Sequence, residues 1–287
     1  MSKKVVLITG TNSGFGWLAA KSVAALGHTV YATIRDTDGK NADMAKTLAQ
    51  VENVTVLDVS LTDEVSVKNA FDTIIANEGT IDVLVNNAGA AMFGVAEGAT
   101  TDDVQRLLDV NVIAPWRLMK LALPFMRKQS EGLIINVSSG WGRFSAPFTV
   151  VYAASKFALE GLSEGLHYEV RPLGVDVVII QPGAFPTEMS QKIQVGSDAS
   201  VAGEYQAIAD VPNKLFAAVG GMFETANPNP QEVADAIINL INLPKGQRPL
   251  RTVVDSSTGD ITKRANDAVK VEFDKVLTAF GMEDLLA

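Results

Sequence analysis

The chain has 287 residues, 47% of them hydrophobic and 20% charged, which is enough apolar material for a sizeable core. A net charge of −9 argues against a nucleic-acid partner, because phosphate binding needs a basic surface. The absence of cysteine excludes disulfides, thiolate chemistry and cysteine-held zinc, and the two histidines, His28 and His167, lack a partner motif, so no metal site is expected.

In chain order, the first apolar run covers 4–9 and is far too short for a signal or a membrane span. No later stretch reaches spanning length, so a cytoplasmic protein with no membrane contact is expected. Short β-branched runs follow at 29–34, 54–57, 81–85, 133–137 and 175–180, with helical patterns at 14–26, 63–77, 101–129 and 152–170 between them. The runs are nearly continuous in hydrophobicity, as strands buried on both faces are. The βαβα alternation predicts an α/β fold with a Rossmann-type doubly wound parallel sheet of about seven strands. Helices cover both faces, and the ligand crevice lies at the carboxyl ends. Residues 184–230 are rich in Gly, Ser, Asn, Pro and Ala, after which a helix at 232–243, a strand at 251–254 and an amphipathic helical tail are expected. A single domain over 1–287 is predicted, with a substrate-lid insertion at about 188–226 and a helical C-terminal tail at about 256–287.

The first strand runs into Thr9-Gly10-Thr11-Asn12-Ser13-Gly14-Phe15-Gly16, and a helix follows. Glycines at 10, 14 and 16 let the backbone turn tightly and approach a pyrophosphate, whose charge suits a helix N-terminus. An ordinary glycine-rich turn is the bland alternative, but the place between strand and helix favours the cradle. Its spacing is Gly-x-x-x-Gly-x-Gly, not the common Gly-x-Gly-x-x-Gly.

Tyr152-Ala-Ala-Ser-Lys156 opens a later helix. Four-residue spacing puts phenol and ammonium on one face, where the cation favours the ionised phenol. A solvent-facing pair is the alternative, and context weighs against it. The run 133–137 ends at Ser138-Ser139 on the carboxyl edge of the sheet, and Ser139 stands 13 residues before Tyr152. Cradle, serine and Tyr-x-x-x-Lys together resemble the short-chain dehydrogenase/reductase family. The resemblance covers roughly 4–190 and is nearest the branch of 17β-hydroxysteroid and retinol dehydrogenases.

That resemblance implies a set of site residues and a reaction. Ser139, Tyr152 and Lys156 are catalytic, with Asn111 as a fourth member ordering a water chain to Lys156. The cofactor contacts are Gly10, Asn12, Ser13, Gly14, Phe15 and Gly16 of the cradle, Asp58 and Val59 at the adenine, and Asn87, Ala88 and Gly89 on the adenosine side. Tyr152 and Lys156 also touch it, and Pro182, Gly183 and Thr187 hold the nicotinamide amide. Ile34 stands where NAD-preferring relatives carry aspartate, and Arg35 follows, so NADP(H) is favoured over NAD, with Ser13 as a second phosphate contact. The reaction is hydride transfer between a carbonyl and an alcohol, with Tyr152 as general acid/base.

Met92, Phe93, Trp141, Phe144, Phe148, Phe185 and Met189 lie near motif ends, as walls of a pocket for a small apolar carbonyl or alcohol, or as ordinary core. Ala153, Ala154, Ala158, Gly161, Ser163 and Gly165 permit close approach of another helix, either in a homo-oligomer or against the chain's own sheet. Two rival readings are a catalytically silent NADP-sensing protein and a relative of the sugar-nucleotide epimerases and dehydratases. The catalytic set speaks against the first. The cradle spacing and the lack of a larger C-terminal domain speak against the second.

Overall fold

The computed structural model describes residues 2–285, apart from the side chains of Ala202 and Phe216. Its strands are β1 (Val5–Ile8), β2 (Thr29–Ile34), β3 (Val54–Asp58), β4 (Val83–Asn86), β5 (Gly132–Val137), β6 (Val175–Pro182) and β7 (Arg251–Val254). They form one parallel sheet in the order β3-β2-β1-β4-β5-β6-β7. The winding reverses between β1 and β4, which opens a crevice at their carboxyl ends.

The helices are α1 (Gly14–Ala25), α2 (Ala42–Ala49), α3 (Glu64–Glu78), α4 (Thr101–Leu108), α5 (Ala114–Lys128), α6 (Val150–Val170), α7 (Val211–Ala226), α8 (Gln231–Asn242) and α9 (Gly259–Ala279). Strand side chains alternate between the two faces of the sheet, as the pleat dictates. Val6, Ile8, Val85 and Ile135 pack with Ala20 and Val23 of α1, Leu48 of α2 and Ile237 of α8. Leu7, Leu84 and Ile134 pack on the other face with Ile74 of α3, Met119 of α5 and Leu166 of α6. Each such Leu or Ile contributes about 1.5–3 kcal/mol on burial. Because both faces are covered, the central strands carry almost no polar residues until their carboxyl ends.

Three segments differ from the expected pattern, the first being α2, which has no counterpart among the predicted helices. The stretch 101–129 is not one helix, because a π-turn at Asp109–Ile113 separates α4 from α5. Pro115 has no N–H to give the Asn111 carbonyl four residues back, which is one physical reason for the break. Within 184–230, α7 is a regular helix that composition concealed, with Pro212 in its first turn and Gly220-Gly221 inside it. None of its described side chains is buried. Short 3₁₀ turns at Glu188–Lys192 and Ala199–Ile208 precede it, the second kinked at Tyr205. The tail is α9 and a last turn at Glu283–Leu285, and residues 286–287 lie outside the described residues.

Both histidines bond to backbone. His28 Nδ1 accepts from the Lys4 N–H at 3.2 Å, and His167 Nδ1 lies 2.8 Å from the Val177 carbonyl. Among the described residues no helix is long and apolar enough to cross a membrane.

Candidate active site

The crevice is stitched together by Thr9 and Asn87. The Thr9 hydroxyl accepts the N–H groups of Asn87 and Ala88, each at 3.0 Å. The Asn87 amide donates to the carbonyls of Thr9 at 2.8 Å and Gly10 at 3.2 Å. This close approach leaves no room for a side chain at Gly10 or Gly16. A Cβ on Gly10 would come 2.8 Å from Ala88 Cα, and one on Gly16 would meet the Gly10 carbonyl oxygen at 2.4 Å. Ser13 precedes α1 without making a side-chain cap, and the first turn of α1 holds no acidic residue. Its amides therefore suit an anion. Thr187 stands opposite, 3.5 Å from the point where a Gly14 Cβ would sit, and the neighbouring Glu188 carboxylate is 3.8 Å from it. The Phe15 ring meets Phe185 edge-on at 5.4 Å.

At the end of β2, Ile34 is buried in the sheet and Arg35 is exposed. Asp36 has a left-handed backbone (φ 58°), and its carboxylate accepts the Lys40 N–H at 2.9 Å. Asp58 accepts from the Thr37 N–H at 3.1 Å, the Thr37 hydroxyl at 3.0 Å and the Asp36 N–H at 3.0 Å. These bonds, led by the Thr37 amide, hold its carboxyl below the usual carboxylate range. The Asn12 amide reaches Asn41 Oδ1 at 3.3 Å, and Asn41 in turn donates to the Arg35 carbonyl at 2.6 Å. Val59 is buried and bonds the Ile34 carbonyl at 3.0 Å. Asp36 and Asp58 are thus engaged by the chain's own amides, beside an exposed arginine.

Tyr152 and Lys156 lie on the buried face of α6. The Lys156 ammonium donates to the Val137 carbonyl at 3.0 Å and sits 5.8 Å from the centre of the Tyr152 ring. Burial pushes the ammonium down to about 8, with the Glu160 carboxylate one turn along α6 working the other way. Burial also pushes the Tyr152 phenol up, and a bond from the Ser139 side chain opposes it. Ser139 additionally accepts the Trp141 N–H at 3.2 Å. The Asn111 amide bonds the Ala90 N–H and carbonyl, both at 2.9 Å, and donates to Ser155 Oγ at 2.9 Å. It meets Lys156 only across Gly89, where a Cβ would lie 3.3 Å from Asn111 Oδ1 and 3.6 Å from Lys156 Nζ.

The wall beside the phenol is apolar. Phe93 meets the Tyr152 ring at 5.8 Å, and Ala91, Met92, Trp141, Val151 and Ile193 pack around them. Phe148 is buried and has φ 65°, a strained conformation for an aromatic residue, and its carbonyl accepts the Gly94 N–H at 2.8 Å. On the far side of the crevice Gly183 donates to the Val254 carbonyl at 2.9 Å. A Cβ on it would come 2.3 Å from the Asp255 carboxylate carbon. The turn at Pro182-Gly183 is therefore locked against the end of β7 and the Asp255 that follows it.

With cradle, Ser139, Tyr152 and Lys156 on one edge of the sheet, comparison with known proteins decides the family. A model of short chain dehydrogenases matches residues 4–197. The chain belongs to the short-chain dehydrogenase family. It is 40% identical over 187 residues to 3-ketodihydrosphingosine reductase of Bacteroides thetaiotaomicron, covering 65% of this chain and 66% of that protein. Over 260 residues it is 35% identical to 17-beta-hydroxysteroid dehydrogenase type 1 of Homo sapiens, covering 85% of this chain and 76% of that one. Among solved structures it is similar to a short-chain dehydrogenase from Streptomyces avermitilis, with a TM-score of 0.78, 31% identity and 98% of both chains covered. The branch expected from the motifs agrees with the second of these.

Several residues around the candidate site carry no sequence signal. Ser155, between Asn111 and the Tyr152 carbonyl, which it reaches at 2.7 Å, is an unmarked letter of the Tyr-Ala-Ala-Ser-Lys run. Glu160 accepts from Gln181 and from Arg251, each at 2.8 Å, and Asn266 of α9 orients Gln181 at 2.6 Å. This buried chain links Lys156's neighbour to the C-terminal third. Asn86, Asn136 and Ser163 form a second buried chain with bonds of 2.8 Å.

Proposed function

We propose that this short-chain dehydrogenase interconverts a small apolar ketone or aldehyde and its alcohol, using NADP(H), with Tyr152 as general acid/base. The observation that carries the reading is the burial of Tyr152 and Lys156 together beside Ser139, at the crevice edge that also holds the glycine cradle. The residues present fit a dinucleotide. Glycine-only approaches at 10 and 16, the uncapped N-terminus of α1 and the exposed Arg35 would hold the pyrophosphate and a 2′-phosphate. Asn87, Ala88, Gly89, Asp58 and Val59 would border the adenosine, and Pro182, Gly183 and Thr187 the nicotinamide. When bound, the nicotinamide supplies or accepts the hydride.

The chain's own work is proton and charge management. In reduction, Ser139 donates a hydrogen bond to the substrate oxygen, and Tyr152 donates the proton to it. The Lys156 ammonium stabilises the phenolate left behind. Asn111 acts here as a brace, fixing the Ala90 backbone and, through Ser155, the Tyr152 carbonyl. The apolar wall of Met92, Phe93, Phe148 and Val151 favours an apolar substrate. The two relatives, a 3-ketodihydrosphingosine reductase and a 17-beta-hydroxysteroid dehydrogenase, support the same substrate chemistry by name. Tyr152→Phe tests the reading: turnover should be lost while cofactor binding remains.

Ala154, Phe157, Gly161 and Gly165 form an exposed strip on α6, and Ile113 and Trp116 are exposed near the start of α5. This supports a homo-oligomer built on these helices. Ala153 and Ser163, by contrast, are buried against the chain's own sheet.

A further inference from the structure

After Lys192 the chain returns to the body over residues 193–198, directly above the apolar wall. Gln194 donates its N–H to the Ala91 carbonyl and accepts the Phe93 N–H, both at 2.9 Å, which makes a one-residue parallel bridge with Met92. The Asp198 N–H donates to the Gly98 carbonyl at 3.0 Å. A Cβ on Gly196 would lie 2.2 Å from that same oxygen. Between them, Ser197 gives its N–H at 2.9 Å and its hydroxyl at 2.6 Å to the Asp103 carboxylate.

Asp103 is only 2% exposed and already serves α4, where it completes a capping box with Thr100 at 2.9 Å and pairs with Arg106. A capping box needs one acceptor oxygen. Here the Thr100 bonds and the Ser197 N–H fall on Oδ2, so Oδ1 is left for Arg106 and the Ser197 hydroxyl. These bonds, the Ser197 hydroxyl first, hold the carboxyl well below the usual carboxylate range. It is therefore an ionised acceptor at any working pH.

Beyond 198 the attachment thins, although the stretch 199–208 still packs against Ala96–Gly98. Among the described residues, the side-chain hydrogen bond from 199–226 to the body is that of Tyr205 to Glu97, at 2.7 Å. Upstream, Ile193 packs in the cluster around Tyr152.

We propose that Asp103, acting through Ser197, is a positioning residue that clasps the root of the substrate lid and fixes the wall of the pocket beside Tyr152. The proposal rests on the reading of 188–226 as a lid over a Tyr152 site. The clasp divides the lid into a fixed root, 193–198, and a more loosely held cover, 199–226, tied to the body through Tyr205 and Glu97. Asp103 touches neither Tyr152 nor Lys156, so it acts on substrate fit and not on proton transfer.

The test is Ser197→Ala against Ser197→Thr, which keeps the hydroxyl. Ser197→Ala should raise KM for an apolar ketone about tenfold, as loss of a bond to a charged group does, with kcat within about twofold. KM for NADPH should not move, and Ser197→Thr should restore the wild-type KM. Independently of activity, amide hydrogen exchange at 194–198 should quicken about tenfold or more in Ser197→Ala while β1 and α4 stay protected. A fall in kcat at unchanged KM, or unchanged exchange at 194–198, overturns the clasp. Failure of the wild-type protein to turn over any apolar carbonyl overturns the parent reading instead, and the exchange measurement still decides the clasp.

Discussion

Lys156 Nζ lies 5.8 Å from the centre of the Tyr152 ring and is tied to the Val137 carbonyl at 3.0 Å. The ammonium is thus held by the end of the strand that leads to Ser138-Ser139, so one backbone segment fixes both the cation and the serine. Before any ligand arrives, burial disfavours charge on both groups. Under the proposed mechanism, the site moves a proton only while the lysine stays charged.

That sets the pH dependence. Lys156 is lowered from its ordinary 10.5 to about 8, so kcat/KM for NADPH should fall as pH rises through about 8. Stability should move the other way. Between about 8 and 10.5 the unfolded chain binds this proton and the folded one does not, so unfolding free energy rises with pH from this group. Initial rates and thermal melts on the same samples between pH 7 and 10 separate the two. Rates and melting temperature falling together would mean that unfolding, not the lysine, causes the loss.

Arg35 is the exposed cation at the end of β2, where Asp36 and Asp58 are engaged by backbone amides. Arg35→Ala should raise KM for NADPH by about 10- to 100-fold, the effect of losing a charge-assisted bond, and leave KM for NADH nearly unchanged. Equal losses for both cofactors would remove the basis for an NADP preference.

Gly16 sits where a Cβ would strike the Gly10 carbonyl at 2.4 Å and the Asn87 amide nitrogen at 2.4 Å. Gly16→Ala should cost about 1–3 kcal/mol of stability, because the strike is against backbone that cannot retreat. It should also weaken cofactor binding more than it weakens the fold. Urea titration and quenching of tryptophan fluorescence by NADPH read the two effects separately.

Phe157 is 44% exposed on α6, beside Ala154, Gly161 and Gly165. An apolar strip of this kind is covered in a symmetric oligomer. Light scattering should give at least a dimer for the wild-type chain and a lower mass for Phe157→Glu. A monomeric wild-type mass contradicts the oligomer.

The parts of this molecule that sequence reveals are those governed by short-range rules. The central strand β5 is visible because burial on both faces leaves Leu133, Ile134 and Ile135 uniformly apolar, and the run closes at Val137. The cradle and the Tyr152–Lys156 pair are visible because turn geometry and helical spacing act over a few residues.

Features that depend on contacts between distant segments stayed hidden. The Asp103–Ser197 bonds join residues 94 apart, and only the Thr100–Asp103 capping-box pattern marks one end. The π-turn at Asn111 has a local trace in Pro115, but a proline near a helix start usually signals nothing unusual. The helix α7 is masked by its glycines and by an apolar face that is only partly covered.

Proton donation by Tyr152 is decided by NADPH oxidation, followed at the nicotinamide absorbance band with an apolar ketone, in the wild-type chain and in Tyr152→Phe, with NADPH binding measured on both. The wild type should turn over steadily. The variant should show a kcat lower by about 10²–10⁴-fold, the usual worth of a positioned proton donor, with NADPH affinity within about twofold. A variant that keeps the wild-type kcat would contradict the assignment of Tyr152 and, with it, the proposed mechanism.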